Sequence, residues 1–395
     1  MIDFVSVEYL DGNLGGDRLI GTAGANDWTI NGNNSGLLNS ITFVNFDNLE
    51  GGSGANVFTF ESGGAIAGTL TGNTDNDTID YSAFNAPVII SLETMQTSGV
   101  NRFSNIENII GSANNDTLQG TAGNDGFAIT GDRTGTANST LSFSSIETLN
   151  GSAGVNEFDL ENLTVASGMT LIGGSNLANG QSTNRIRTNG NTTAWQINGQ
   201  NSGNLNQSGT LLAVFEQIQH LDNSSATGGT VEVSFENATA TVSGSIDSGN
   251  NNLTLTGNDI NIGEDDGTGN LQGGIIAGTG QLAIRTEDSA TAIELGGTDN
   301  TGGNVLSVTA GEIAAIQDGF SQITIGENTH TGGIRLSADV QFNDAVTLRS
   351  QNAIDTTGGR LSNSNGNLTL ETQSNIRAGR LHSDNSGITL NAQQD

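Results

Sequence analysis

The sequence has no cysteine, no lysine, a single proline, two tryptophans, two tyrosines and three methionines in 395 residues. Each shortage excludes something. Without Cys there are no disulfides, no thiolate metal site and no cysteine nucleophile. Without Lys, the basic residues are 11 Arg against 42 Asp and Glu, a formal net charge of −31. Eleven Arg spread over this length cannot neutralise a run of phosphates, which argues against a nucleic-acid partner. An anionic membrane surface repels such a chain, and no stretch approaches the ~20 apolar residues of a membrane helix, so membrane insertion is not expected. A phosphate loop of the Gly-Lys-Ser/Thr kind is absent with the lysine.

What is present is Gly, 57 residues or about 14%, with charged residues at only 13%; usual values are about 7% and 25%. Low aromatic content and high net charge are also marks of disorder. Leu, Ile, Val and Phe nevertheless make up 94 residues, about 24%, above the ~20% level at which disorder becomes the expectation. Their patterning points to a folded chain. The opening Met1-Ile2-Asp3-Phe4 lacks the basic and apolar regions of a signal peptide, and both ends read as cuts through a longer repetitive chain.

Internal repeats organise the sequence. Gly21-Thr22-Ala23-Gly24 returns as Gly120-Thr121-Ala122-Gly123, and Trp28-Thr29-Ile30-Asn31-Gly32 matches Phe127-Ala128-Ile129-Thr130-Gly131. A third, weaker copy starts at Trp195-Gln196-Ile197-Asn198-Gly199. A shorter unit recurs at 43–49, 103–109, 143–149 and 215–221: Phe, then apolar residues three and six positions on. That spacing suits a helix, but segments so short, flanked by Gly and Asn, do not hold one. Strand, bend, strand is expected instead.

From about residue 228 the style changes. Leu253-Thr254-Leu255, Ile323-Thr324-Ile325, Val346-Thr347-Leu348, Leu368-Thr369-Leu370 and Ile388-Thr389-Leu390 share one alternating form, the pattern of strands with one apolar face. The last two begin 20 residues apart (388 − 368), the spacing of parallel β-solenoid coils. Asn and Gly suit corners because they tolerate positive φ. The lone Pro87 fits as well, since Pro removes ladder hydrogen bonds. The expected fold is all-β: a parallel β-solenoid, one continuous stack with Gly/Asn corners, in two styles of coil over 1–227 and 228–395. Residues 310–318 offer the best helix, two turns at most.

Read in nines, 12–20, 21–29, 51–59, 72–80, 111–119, 120–128 and 151–159 resemble the haemolysin-type calcium nonapeptide Gly-Gly-x-Gly-x-Asp-x-apolar-x. Their sixth positions are Asp17, Asn26, Asn56, Asp77, Asp116, Asp125 and Asn156. Gly turns expose carbonyls and Asp adds carboxylate oxygens, a donor set for a hard cation. Asp17, Asp77, Asp116 and Asp125 are therefore the candidate calcium ligands. Tandem runs stop at two and three sixth positions are Asn, so the same segments also read as corners that kept the fold without the metal. Glu264-Asp265-Asp266 is a further acidic turn, a cation site or a solvated corner.

Other constellations are sparse. His220, His330 and His382 are far apart and lack metal spacing. Asp339 and Asp344 with Arg335 and Arg349 are the nearest approach to the clustered carboxylates of a polysaccharide-active β-helix enzyme; a solvated strand face is the expected explanation for them. Trp28, Trp195 and the repeated Phe residues suit a core ladder or sugar stacking.

The first ~160 residues thus resemble degenerate haemolysin-type nonapeptide regions. Those after ~240 resemble repetitive bacterial exoproteins of the filamentous haemagglutinin kind, through Asn250-Asn251-Asn252 before Leu253-Thr254-Leu255, Ala292-Ile293-Glu294-Leu295-Gly296-Gly297, Asp318-Gly319-Phe320-Ser321-Gln322-Ile323-Thr324-Ile325-Gly326 and Asp344-Ala345-Val346-Thr347-Leu348. The resemblance implies a secreted or cell-surface protein, a structural and adhesive rod rather than an enzyme. Its partners would be copies of itself and surface glycans or matrix. The alternatives are a polysaccharide-active β-helix enzyme and a filament subunit stacking end to end.

Overall fold

Short strands with alternating burial make up the molecule, and most pair in parallel. The computed structural model describes residues 7–13, 15–161, 163, 167–174, 184–189, 192–223, 229–237, 240–265, 271–298 and 305–393. They fall into two compact units, Met1–Asp159 with Leu163–Gln181, and Leu160–Asn162 with Ser182–Asp395. The change of style expected near residue 228 falls at 224–228, outside the described residues.

In the first unit, parallel pairing runs from Asp27–Gly32 through Val57–Phe60, Thr78–Asp80 and Asn108–Ile110 to Leu141–Ser144. The register aligns Trp28, Phe58, Ile79, Ile109 and Phe143 in one column, each no more than 2% exposed. Trp28 and Phe58 stack at 5.6 Å between ring centroids. A second ladder aligns Ile90, Leu118, Leu149 and Leu171, again fully buried. Each such side chain contributes about 1.5–3 kcal/mol by leaving water.

The recurring Phe unit has one structural meaning. Phe43, Phe103, Phe143 and Phe215 each lie on the third strand of an antiparallel meander: Asp27–Gly32/Ser35–Leu38/Ile41–Val44, Ile89–Ser91/Gln96–Thr97/Val100–Ser104, Gly126–Gly131/Thr134–Ala137/Leu141–Ser144 and, in the second unit, Thr192–Gly199/Ser202–Gln207/Thr210–Glu216. Two residues after each Phe the backbone is left-handed, at Asn45, Asn105, Ser145 and Gln217, with φ between 52° and 62°. The chain then enters the next strand at Leu49, Ile109, Leu149 or Leu221, all buried. Strand, bend, strand therefore replaces the helix that the spacing alone would allow. Trp28 meets Phe43 edge to face at 5.9 Å, and Trp195 meets Phe215 likewise at 5.8 Å.

The second unit carries an eight-strand parallel ladder: Thr192–Gly199, Thr230–Phe235, Asn252–Gly257, Gln281–Arg285, Gln322–Gly326, Val346–Ser350, Leu368–Thr372 and Ile388–Ala392. All five apolar-Thr-apolar triplets lie on it. Its register aligns Trp195, Val233, Leu255, Ile284, Ile325, Leu348, Leu370 and Leu390 in one column. Thr324, Thr347, Thr369 and Thr389 form the adjoining column. The one helix among the described residues is Ala310–Ala315, held by a capping box in which Thr309 and Glu312 exchange hydrogen bonds. The fold is thus all-β, with parallel strands in long sheets.

Candidate functional site: a buried corner ladder

The sixth residue of each nonapeptide precedes a strand by one position. Asn26, Asn56, Asp77, Asp116, Asp125 and Asn156 are all 3% exposed or less, whereas Asp17 is half-buried. In the buried members the side chain turns back into its own corner. Thr22 N–H donates to Asn26 Oδ1 at 3.1 Å, Asn73 N–H to Asp77 Oδ2 at 2.7 Å and Thr121 N–H to Asp125 Oδ2 at 2.8 Å. Ser112 N–H donates in the same way to Asp116 Oδ2.

Side-chain oxygens also link one corner to the next. Asn26 N–H donates to Asn56 Oδ1 at 3.0 Å, Asn56 N–H to Asp77 Oδ1 at 2.7 Å and Asp77 N–H to Glu107 Oε2 at 2.9 Å. A parallel series runs from Val88 N–H to Asp116 Oδ1 at 2.6 Å and from Asp116 N–H to Glu147 Oε2 at 2.7 Å. Asp125 N–H donates to Asn156 Oδ1 at 3.0 Å. Each of these side chains thereby satisfies a backbone group that burial would otherwise leave unpaired, at a cost of about 1–3 kcal/mol each. Gly is required opposite them. A Cβ on Gly51 would meet Asn56 Nδ2 at 2.4 Å, and one on Gly151 would meet Asn156 Nδ2 at 2.4 Å.

This donor set decides the fit to calcium. A cation needs converging oxygens with free lone pairs. The carboxyl oxygens of Asp77, Asp116 and Asp125 instead face N–H and O–H donors, including Asn56 Nδ2 at 2.8 Å, Ser112 Oγ at 3.0 Å and Asn138 Nδ2 at 2.7 Å. These three residues do not fit a calcium shell in this arrangement. Asn26, Asn56 and Asp77 each use a side-chain oxygen to accept a backbone N–H. Asp17 stands apart from the three, beside Gly12 and Gly15. Among the described residues no group of three or more His, Asp or Glu is arranged to hold a metal. Of the acidic turn, Glu264–Asp265 pairs antiparallel with Leu271–Gln272, and Asp266 lies outside the described residues.

Glu107 and Glu147 complete the ladder, yet no nonapeptide contains them. Their signal was positional: each precedes a strand and sits four residues after the Phe of a repeated unit, Phe103 and Phe143.

In the second unit the remaining candidates separate. Asp339 is exposed and accepts Arg360 N–H at 2.7 Å and the Arg380 guanidinium at 3.2 Å. Asp344 is buried and accepts from Gly319 and Phe320 N–H at 3.1 and 3.0 Å; burial pushes its carboxyl above the ordinary range, with Asp318 adding to the effect. Arg335 pairs with Glu294, and Arg349 with Glu371 at 2.7 Å. A groove of about 140 Å³ is lined by Arg349, Ser350, Glu371, Thr372, Asn391 and Gln393. His330 is 1% exposed, with Nε2 unpartnered, and burial pulls its pKa down. Burial, with Arg185 beside it, also lowers that of His220, whose Nδ1 lies 2.7 Å from Ser245 Oγ. His382 is exposed against Asp384.

No family model, curated protein or solved structure matches this chain. Among the described residues no helix is long and apolar enough to cross a membrane.

Proposed function

We propose that both units are lengths of a parallel β-solenoid and that the chain is an extracellular structural and adhesive segment of a bacterial surface protein. The observation that carries the reading is the eight-strand in-register ladder of the second unit, with one apolar column behind it. Each added coil buries two or more large apolar side chains and closes its backbone hydrogen bonds on its neighbour, so stability accumulates with length. The corner ladder of the first unit supports the same reading, because its bonds run from one corner to the next rather than toward a ligand. Such a scaffold is stiff, and its surface columns repeat at the ~4.8 Å strand spacing, which suits multivalent attachment to glycans or matrix.

The test is direct. Antibody against the chain labels intact producing cells, and beads coated with the purified chain adhere to glycan- or matrix-coated surfaces. Label that appears only after lysis, together with beads that adhere to neither surface, overturns the assignment.

A further inference from the structure

The repeats built on Trp28, Phe127 and Trp195 share one backbone pairing but differ on their outward faces. In each, the strand that carries the aromatic residue lies between an antiparallel neighbour and a parallel one. The two residues flanking the buried aromatic point the other way, because side chains alternate along a strand. They are Asp27 and Thr29 in the first repeat and Ala194 and Gln196 in the third, but Gly126 and Ala128 in the second. Of the three middle strands, the second alone carries nothing longer than a methyl group there. A Cβ on Gly126 would meet no atom within 4 Å, so the space above this strand is open.

The resulting groove, within the first unit, measures about 550 Å³, a ligand-sized volume. Register sets its walls. Thr136 stands opposite Ala128 on the antiparallel side, and Glu157 and Asp159 stand beside Gly126 and Ala128 on the parallel side. The walls are two strand spacings apart, roughly 9–10 Å, which admits one pyranose ring lying on the floor. In the first repeat the same positions hold Leu37, Val57 and Thr59. The second repeat therefore clears the floor and also replaces two apolar wall residues by a hydroxyl and a carboxylate. Asn124 and Ser139 line the groove as well. Asn124 Oδ1 accepts Val155 N–H at 2.8 Å, which fixes the side chain and leaves its Nδ2 as a donor. Among the described residues no Arg or His lines the groove.

We propose that this groove is a subsite for a neutral hexopyranose unit of a surface or matrix glycan. The inference rests on the adhesive reading above and gives it a location. A carboxylate has about four acceptor positions, so Glu157 and Asp159 can each take a sugar hydroxyl while keeping their other partners. Such charge-assisted bonds are about twice as strong as neutral ones. Thr136, Ser139 and Asn124 serve the remaining hydroxyls. The C–H face of the ring rests on the Ala128 methyl and the Gly126 backbone, where a longer side chain would displace it. A uronic or sialic acid would set its own carboxylate against Glu157 and Asp159, so like charge excludes acidic sugars.

Titration of the full chain with methyl α-mannoside, methyl β-glucoside and methyl β-galactoside, followed by saturation-transfer NMR and calorimetry, tests this. At least one binds with a Kd of about 0.1–10 mM, and galacturonate and N-acetylneuraminate bind about tenfold more weakly or worse. Gly126→Asp/Ala128→Thr gives the groove the floor of the first repeat on the same backbone pairing, and weakens the bound glycoside about tenfold or more. Glu157→Gln/Asp159→Asn leaves the floor clear and has an effect of the same size. A Kd above about 10 mM for all three glycosides, unchanged affinity in either variant, or acidic sugars bound as tightly as neutral ones overturns the subsite. If glycoside binding is absent while wild-type beads still adhere to glycan or matrix surfaces, the subsite fails and the adhesive reading stands. If glycosides bind while beads adhere to neither surface, the adhesive reading fails and the groove remains a sugar site.

Discussion

Asn56 is the most exacting test of the corner ladder. Its side chain is fully buried, accepts Asn26 N–H and Asn26 Nδ2 at 3.0 Å each, and donates to Gly54 O at 2.7 Å and Asp77 Oδ1 at 2.8 Å. In Asn56→Ala, Gly54 O keeps Asn73 Nδ2 at 3.0 Å and Asp77 Oδ1 keeps Asn56 N–H. Asn26 N–H loses its acceptor inside the protein. An orphaned buried N–H costs about 1–3 kcal/mol, and the unfilled space adds about 1 kcal/mol, so the expected loss is ~2–4 kcal/mol. Gly51→Ala probes the same contact from the other side, since its new Cβ would meet three atoms of the Asn56 side chain at 2.4 to 3.2 Å. Trimming Asn56 removes two of those atoms. The Gly51→Ala penalty should therefore fall by about 1 kcal/mol or more in the Asn56→Ala background, a coupling that a double-mutant cycle isolates. The assay is urea unfolding followed by Trp28, buried in the first unit, in a Trp195→Phe background that silences the second. A midpoint shift at constant m value measures the loss. A cost under ~0.5 kcal/mol, or a Gly51→Ala penalty equal in both backgrounds, would refute the ladder as a source of stability.

Three further outcomes are expected. Gln217 holds φ 57°, a conformation costing non-glycine residues ~1–2 kcal/mol; after the extra unfolded-chain entropy of glycine, Gln217→Gly should stabilise the second unit by about 0.5–1 kcal/mol, and a lower urea midpoint would contradict the bend geometry. His330 is buried with its pKa pulled below 6.5 by burial, which Glu327 only partly offsets. The unfolded chain then binds the proton more readily, so stability is full above pH 6.5 and falls as pH drops toward the lowered folded value, by up to about 1.4 kcal/mol per pH unit; His330→Gln should flatten that slope in urea melts between pH 7.5 and 5, and an unchanged slope would remove His330 as its source. Chelation with EDTA should leave the melting of the first unit unchanged, because Asp77, Asp116 and Asp125 are committed to N–H donors; a fall of several degrees would restore calcium at these corners.

Much of the local structure was legible. The five apolar-Thr-apolar triplets mark strands because alternation at period two puts Leu, Ile and Val on one face, and all five do share one ladder. The Phe unit was legible as strand, bend, strand because Asn45 and Asn105 suit left-handed backbone, although Ser145 and Gln217 carry no such signal. The sixth positions were visible as corners but not as members of a series. Asn26 to Asn56 spans 30 residues and Asp77 to Glu107 another 30, and no local rule fixes which corners stack. Glu107 and Glu147 carried only a positional signal, four residues after a repeated Phe, and which corner each of them serves was not legible.

By itself, then, the sequence determined the strands, the corners, the absence of thiol chemistry and the acidity, since these depend on residue type and spacing within a few positions. Which backbone group each corner Asp faces was decided only by the tertiary structure. At Asp77 the neighbouring corner presents the N–H of Asn56, and at Asp116 that of Val88. These donors come from residues 21 and 28 positions away in the chain, and strand pairing over such separations is set by no local pattern.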